Sequence, residues 1–224
     1  FALATDHFGI RPLYYRRCGN RLVFGTQLAS LLELLDEPYA IDLQSVYHYL
    51  NFSYVPGPQT IYQQTCVLPP GMMLVYREGV LDVSPYWRMN YPADATASEE
   101  ELAFRLRMEI EQAVRKSALD KDGYAPLGTF LSGGTHSGAI SGILSQVTSP
   151  LKAYSIAFDE DEYNELHYAK LLARSFGLDH RVHQLTAGEL LESIPLLLKH
   201  CDQPFGNPSI VATWRCARLA ADNG

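Results

Sequence analysis

Six consecutive residues, Ser132-Gly-Gly-Thr-His-Ser137, place hydroxyls, a glycine pair and an imidazole in a spacing suited to holding an anion. Adjacent glycines let a backbone turn sharply and bring several N–H groups within reach of one phosphate, and flanking serines add hydroxyl donors. The apolar stretch Leu127–Leu131 precedes the turn and helical spacing follows it. The turn therefore lies where an α/β sheet offers anions a helix N-terminus with its partial positive charge. No Gly-Lys-Ser/Thr follows, so this is not a Walker A loop. A Gly-Gly pair alone fits equally a tight strand-to-helix turn that needs glycine only for its backbone angles.

Other reactive residue types are less concentrated. His180 and His183 stand three apart on an expected strand, hence on opposite faces, and read as structural or surface groups rather than joint metal ligands. The acidic run Asp159–Glu162 reads as a solvated loop rather than a cation site. Asp202, preceding Gln203-Pro204, suits either turn chemistry or the wall of a site. Arg11 beside Pro12 reads as structural, and Tyr14, Tyr15, Tyr47, Tyr49 and Phe52 as core. Cys18, Cys66, Cys201 and Cys216 lack the short spacing of a zinc site or redox pair and read as free thiols in a reducing cytosol.

The elements that would carry these residues change character along the chain. Phe1–Thr5, Leu13–Arg17, Arg21–Thr26, Thr60–Val67, Met72–Tyr76 and Val80–Val83 have strand patterns, with turns at Cys18-Gly-Asn, Leu68-Pro-Pro-Gly71 and Glu78-Gly79. Leu28–Leu35 and Leu43–Leu50 have helical spacing, and Asp42 is placed to cap the second. This part reads as a meander forming one sheet of an α+β domain. Tyr91–Ala97 is small, polar and aperiodic, so a boundary falls there, giving domains 1–92 and 97–224.

Beyond it, helices and strands alternate. Ser98 and Glu101 form a capping box before a helix whose Leu102, Leu106, Ile110 and Val114 share one face. A helix from the glycine turn to about Gln146, the strand Lys152–Phe158, the helix Asn164–Phe176 stopped by Gly177, and the strand His180–Leu185 follow. A second capping box, Thr186 with Glu189, then opens a helix to about His200. Strands separated by such helices imply a parallel, doubly wound sheet.

Hydrophobic residues make up 47% of the 224 and charged residues 19%, with a net charge of −7 and no basic run. That is globular composition, and it argues against a nucleic-acid partner, which calls for a basic face. No apolar stretch approaches the ~18 residues of a membrane span. Phe1-Ala-Leu-Ala-Thr5 reads as mid-strand and Asp222-Asn-Gly224 as a helix stop, so the chain is expected to be an internal segment of a longer one.

Phe130-Leu-Ser-Gly-Gly-Thr-His-Ser-Gly-Ala-Ile140 resembles the Ser-Gly-Gly-x-Asp-Ser pyrophosphate loop of the glutamine-hydrolysing asparagine synthetase family. Three further segments resemble the family in its own order: Thr5-Asp-His-Phe-Gly-Ile-Arg-Pro-Leu-Tyr-Tyr15; Tyr154-Ser-Ile-Ala-Phe158 with Tyr163-Asn-Glu165 and Ala169; and Asp202-Gln-Pro-Phe-Gly-Asn-Pro-Ser209. Together they span nearly the whole chain. The resemblance implies the C-terminal part of an N-terminal-nucleophile glutaminase domain, followed by the start of an α/β ATP-pyrophosphatase (PP-loop) domain. It implies a cytoplasmic ligase that adenylates aspartate or a related carboxylate with ATP and amidates it with glutamine-derived ammonia, a homodimer being one further option. Leu131, Ser132, Gly133, Gly134, Thr135, Ser137 and Ile156 would bind ATP and its pyrophosphate, with Leu131 and Ile156 at the adenine. The glutaminase nucleophile has no match here, so no catalytic residue is assigned and the segment alone is expected to be inactive. His136 stands where the family has aspartate and Gly138 where it usually has serine. Imidazole is a poor ligand for Mg2+, so weak metal–ATP turnover is expected, or a degenerate nucleotide-binding scaffold. A relative acting on a different carboxylate is the other alternative.

Overall fold

The computed structural model describes residues 1–35, 38–91, 96–118, 126–159 and 165–224. The chain forms two compact units, one of Phe1–Pro92 with Leu198–Asn207, the other of Ala93–Leu197 with Pro208–Gly224. Residues 198–207, inside the stretch assigned to the second domain, thus belong with the first unit.

The first unit holds two three-stranded antiparallel sheets, not the single meander expected. One has the order β1-β5-β6, from Ala2–Ala4, Met72–Arg77 and Val80–Pro85. The other has the order β3-β2-β4, from Arg21–Gly25, Tyr14–Cys18 and Thr65–Val67. Two local features explain the split. The Asp6 carboxylate accepts the N–H groups of Phe8, Ile10 and Arg11, each at 3.0 Å, which turns the chain out of β1 before β2 begins. Pro69 and Pro70 lack N–H donors, so pairing cannot run on from β4 into β5. The strand expected over Thr60–Val67 shortens to β4, because Thr60 Oγ1 donates to Thr65 O (2.8 Å) and Gln64 takes a positive φ. Hydroxyl-to-backbone bonding of this kind competes with strand pairing.

Helix α1 (Leu28–Glu33) buries Leu28, Leu31 and Leu32 against Tyr14. Helix α2 (Leu43–Phe52) starts as expected at Asp42, whose carboxylate accepts from Ser45 N at 3.2 Å, and stops at left-handed Ser53. Only Ser45 of α2 is buried, however. Tyr47 and Phe52 are more than half exposed, so they are not core, although Tyr14 is.

In the second unit, α3 (Glu99–Ala118) is capped by Ser98 Oγ, which accepts from Glu101 N at 3.2 Å. None of its residues is buried; Leu106 and Ile110 line an open groove with Ile143, Leu171, Leu172 and Phe176. Strands β7 (Gly128–Phe130), β8 (Lys152–Phe158) and β9 (Asp179–Leu185) form a parallel sheet in that order. Helix α4 (Thr135–Leu144) joins β7 to β8, and α5 (Leu166–Phe176) joins β8 to β9, ending at left-handed Gly177. Helices α6 (Ala187–Leu198) and α7 (Ser209–Asp222) follow.

Side-chain alternation along β8 separates two cores. Ala153 packs with Leu131 and with Ala169 and Ala173, whose small side chains bring α5 close. Ile156 and Phe158, on the other face, pack with Leu185, Leu197 and Val211. The alanines bury little area, so close approach replaces bulk on that face. Among the described residues no helix is long and apolar enough to cross a membrane.

Candidate functional site

The Ser132–Ser137 turn begins where the β7–β8 ladder ends, at Phe130↔Tyr154. Leu131 N still donates to Tyr154 O at 2.8 Å. Gly133 then takes φ +96°, and a Cβ there would meet Ala169 N and Tyr168 Cβ at 2.9 Å. Only glycine fits so close to the start of α5. Gly134 is the N-cap of α4, and the first amide to enter the helical ladder is Gly138 N, bonded to Gly134 O at 2.9 Å. The N–H groups of Thr135, His136 and Ser137 precede it and point out of the helix end, where the axial dipole favours negative charge.

Not every donor in the turn is open. Ser132 Oγ and Ser137 Oγ lie 2.9 Å apart, Gly134 N donates to Ser132 Oγ at 3.3 Å, and Ser132 N to Ser137 Oγ at 3.3 Å. Ser137 Oγ also donates to Gly134 O at 3.0 Å. These bonds preform the turn around the two serines. Gly138 fits the same close packing, since a Cβ there would come 2.9 Å from Leu172 Cδ1.

Beside the turn, at the C-terminal ends of β7 and β8, lies a cavity of about 380 Å³. Leu131, Ser132 and Ile156 line it with Ser155, Thr213 and Cys216. Of the seven residues singled out from sequence, Leu131, Ser132 and Ile156 are thus brought to the cavity. Gly133, Gly134 and Thr135 line the groove beside α3 instead, and Ser137 lies in the turn, bonded to Ser132.

Ser155 and His180 were missed as parts of this site. Ser155, 4% exposed, donates from Oγ to Leu131 O, and its Oγ lies 2.6 Å from His180 Nε2. Burial, and then the nearby Lys170 charge, push the His180 imidazole below its ordinary pKa. A small polar serine within the buried run Ala153-Tyr-Ser-Ile-Ala157 was the available signal. His183 turns to the opposite face and lies 3.0 Å from Glu189 Oε1, in keeping with separate roles. The Thr186–Glu189 capping box is reciprocal: Thr186 N donates to Glu189 Oε2 (3.0 Å) and Glu189 N to Thr186 Oγ1 (3.3 Å). Asp202 lies in the first unit, where it caps α1, and Arg11 is exposed with its N–H on Asp6. Asp159 accepts from Gln184; the rest of the acidic run, with Tyr163 and Asn164, lies outside the described residues.

A family model described as asparagine synthase matches residues 105–224, over half the chain. The chain belongs to the asparagine synthase family. A second model, a glutamine amidotransferase domain, matches residues 1–87. The chain is 27% identical to asparagine synthetase (glutamine-hydrolysing) 1 of Bacillus subtilis strain 168, over 97% of this chain and 34% of that protein. To putative asparagine synthetase (glutamine-hydrolysing) 2 of Methanocaldococcus jannaschii it is 25% identical, over 97% of this chain and 42% of the relative. Amidase chry2 of Gibberella zeae is 28% identical over 79% of this chain and 28% of its own length. The chain thus spans under half the length of each of these curated relatives.

Proposed function

We propose that the second unit is the ATP-binding part of an adenylating amide ligase, with the phosphates on the Ser132–Ser137 turn and the base in the adjoining cavity. One observation carries the reading: an outward-facing helix start at the end of parallel strand β7, beside a cavity of about 380 Å³, in a chain of the asparagine synthase family. The amides of Gly133, Thr135, His136 and Ser137 bond phosphate oxygens. Ser132 and Ser137 exchange their mutual bond for bonds to pyrophosphate, and Leu131 and Ile156 lie against the adenine. The sheet, in this reading, belongs to the doubly wound ATP-pyrophosphatase type.

The acceptor is aspartate or a related carboxylate. Its oxygen attacks the α-phosphorus, the α–β phosphoanhydride bond breaks, and pyrophosphate leaves. Ammonia then attacks the acyl carbon and AMP departs. Negative charge grows on the leaving oxygens, so fixed donors at the turn lower the barrier and no protein nucleophile is needed. In the whole protein a glutaminase domain ending in the first unit supplies the ammonia, and this segment alone binds nucleotide without turnover.

The donor set at the turn does not fit magnesium. His136 offers imidazole where a carboxylate suits the ion, and among the described residues no three His, Cys, Asp or Glu side chains gather to hold a metal.

Calorimetry of ATP binding tests the nucleotide site: binding that Gly133→Ala abolishes is expected, and no binding by the native protein overturns it. ATP–pyrophosphate exchange by the whole protein tests the turnover. Slow exchange with His136 and a large gain in His136→Asp are expected, while no gain in a variant that binds ATP leaves the turn a scaffold.

A further inference from the structure

A chain of hydrogen bonds crosses all three strands of the parallel sheet at the point where β7 passes into the turn. Ser155 Oγ donates its single hydrogen to Leu131 O, so toward His180 Nε2, 2.6 Å away, it can only accept. His180 must therefore carry its proton on Nε2. The register explains the reach: His180 pairs with Ala153, and Ser155 lies two residues further along β8 on the same face. The β7–β8 ladder stops at Phe130↔Tyr154, so the Leu131 carbonyl lies beyond the last strand pair and takes a side-chain donor instead.

We propose that His180 is a positioning residue for the nucleotide turn: through Ser155 it fixes the direction of the Leu131 carbonyl, and with it the peptide from which Ser132–Ser137 departs. The proposal rests on the reading of that turn as the phosphate site. It departs from the role the sequence suggested for His180, a structural or surface histidine. Geometry distinguishes the two: a merely structural histidine need not reach the residue that opens the turn, and Leu131, Ser132 and Ser155 all line the same cavity. Burial, and then Lys170 on α5, oppose a charged ring, so near neutral pH the donor is the neutral Nε2–H tautomer.

The test compares His180→Gln, whose amide nitrogen can replace the Nε2–H donor, with His180→Leu and Ser155→Ala. His183→Gln, on the opposite face, is the control. Hydrogen–deuterium exchange over residues 131–137 needs no nucleotide. An increase of about tenfold is expected in His180→Leu and Ser155→Ala, with native-like exchange in His180→Gln and His183→Gln, the scale of one net hydrogen bond. ATP affinity should fall about five- to tenfold in the same two variants and recover in His180→Gln. Unchanged exchange in both His180→Leu and Ser155→Ala overturns the positioning role, as does a His180→Gln variant as impaired as Leu. If the native protein binds no ATP, the phosphate reading fails while the exchange data still decide the positioning.

Discussion

Asp202 Oδ1 accepts the backbone N–H of Leu28 at 2.9 Å, so the start of α1 is capped by a side chain 174 positions further along the chain. The local N-cap, Gln27, makes no side-chain cap bond. Two more bonds strap the same segment to the first unit: Ile61 N to Gln203 Oε1 at 2.9 Å and Gly206 N to Ser53 O at 2.8 Å. A six-residue helix has little stability of its own, so this cap and the burial of Leu28 and Leu31 hold it in place.

Asp202→Ala is therefore expected to destabilise the first unit by about 1–2 kcal/mol, the range for a lost N-cap with a charged acceptor. Asp202→Asn keeps an acceptor and should lose less. Urea unfolding of the two variants, fitted as a multi-unit transition, measures both. Burial chiefly, and then Asp202, raise the Tyr14 phenol, so its ultraviolet titration should move to lower pH in Asp202→Ala. A Tyr14 titration and a urea midpoint both unchanged would remove the cap from this account.

The two turn glycines should respond unequally. Gly133→Ala puts a Cβ 2.9 Å from Ala169 N at φ +96° and is expected to cost roughly 1–3 kcal/mol. Gly134 has φ −74° and a Cβ there meets only Ser132 Oγ at 3.5 Å, so Gly134→Ala should cost under about 1 kcal/mol. Thermal unfolding of the pair orders them, and equal losses would contradict the close approach of α5.

What was legible in the sequence was local. Asp42 as a cap, Thr186 with Glu189, and Gly177 as a helix stop each act within a few residues and are found as read, while of the Ser98–Glu101 box the bond from Glu101 N to Ser98 Oγ is found. The glycine turn is found between a strand and a helix for the same reason. What escaped depends on chain segments far apart. The meander divides into two sheets because Asp6 and Pro69-Pro70 redirect the chain. Tyr47 and Phe52 face outward because the buried side of α2 is Ser45, a choice helical periodicity does not make. Ser155 became a site residue only when parallel pairing brought Leu131 and His180 to either side of it.

Thiol reactivity should rank by burial. Cys216 is 6% exposed and desolvation pushes its thiol up to about 11, so little thiolate forms at mild alkaline pH. Burial also raises Cys66. Iodoacetamide labelling followed by mass mapping is expected to modify Cys216 last, after Cys18 and Cys201. Saturating ATP should slow it further, since Cys216 lines the cavity. Early modification of Cys216 would mean the cavity is more open than described.

Acid should weaken the second unit through His180 and the first through Asp6, in separate windows. The folded His180 pKa lies below the ordinary 6.5, because burial and then Lys170 disfavour the imidazolium. Unfolded chains therefore bind the proton first as pH falls through 6.5, and stability declines from there down to the folded pKa, with no contribution from this group at higher pH. Asp6 runs lower: backbone N–H groups, led by Arg11 and Ile10, hold its carboxyl at about 2 against 3.8. Its stabilising effect is complete above 3.8 and is lost between there and about 2. Urea midpoints across this range for the native protein, His180→Gln and Asp6→Asn separate the two. His180→Gln should flatten the dependence just below 6.5 and leave the lower window intact, and Asp6→Asn should do the reverse. A His180→Gln profile superimposable on the native one below 6.5 would show that this imidazole is as readily protonated in the folded chain as in the unfolded one.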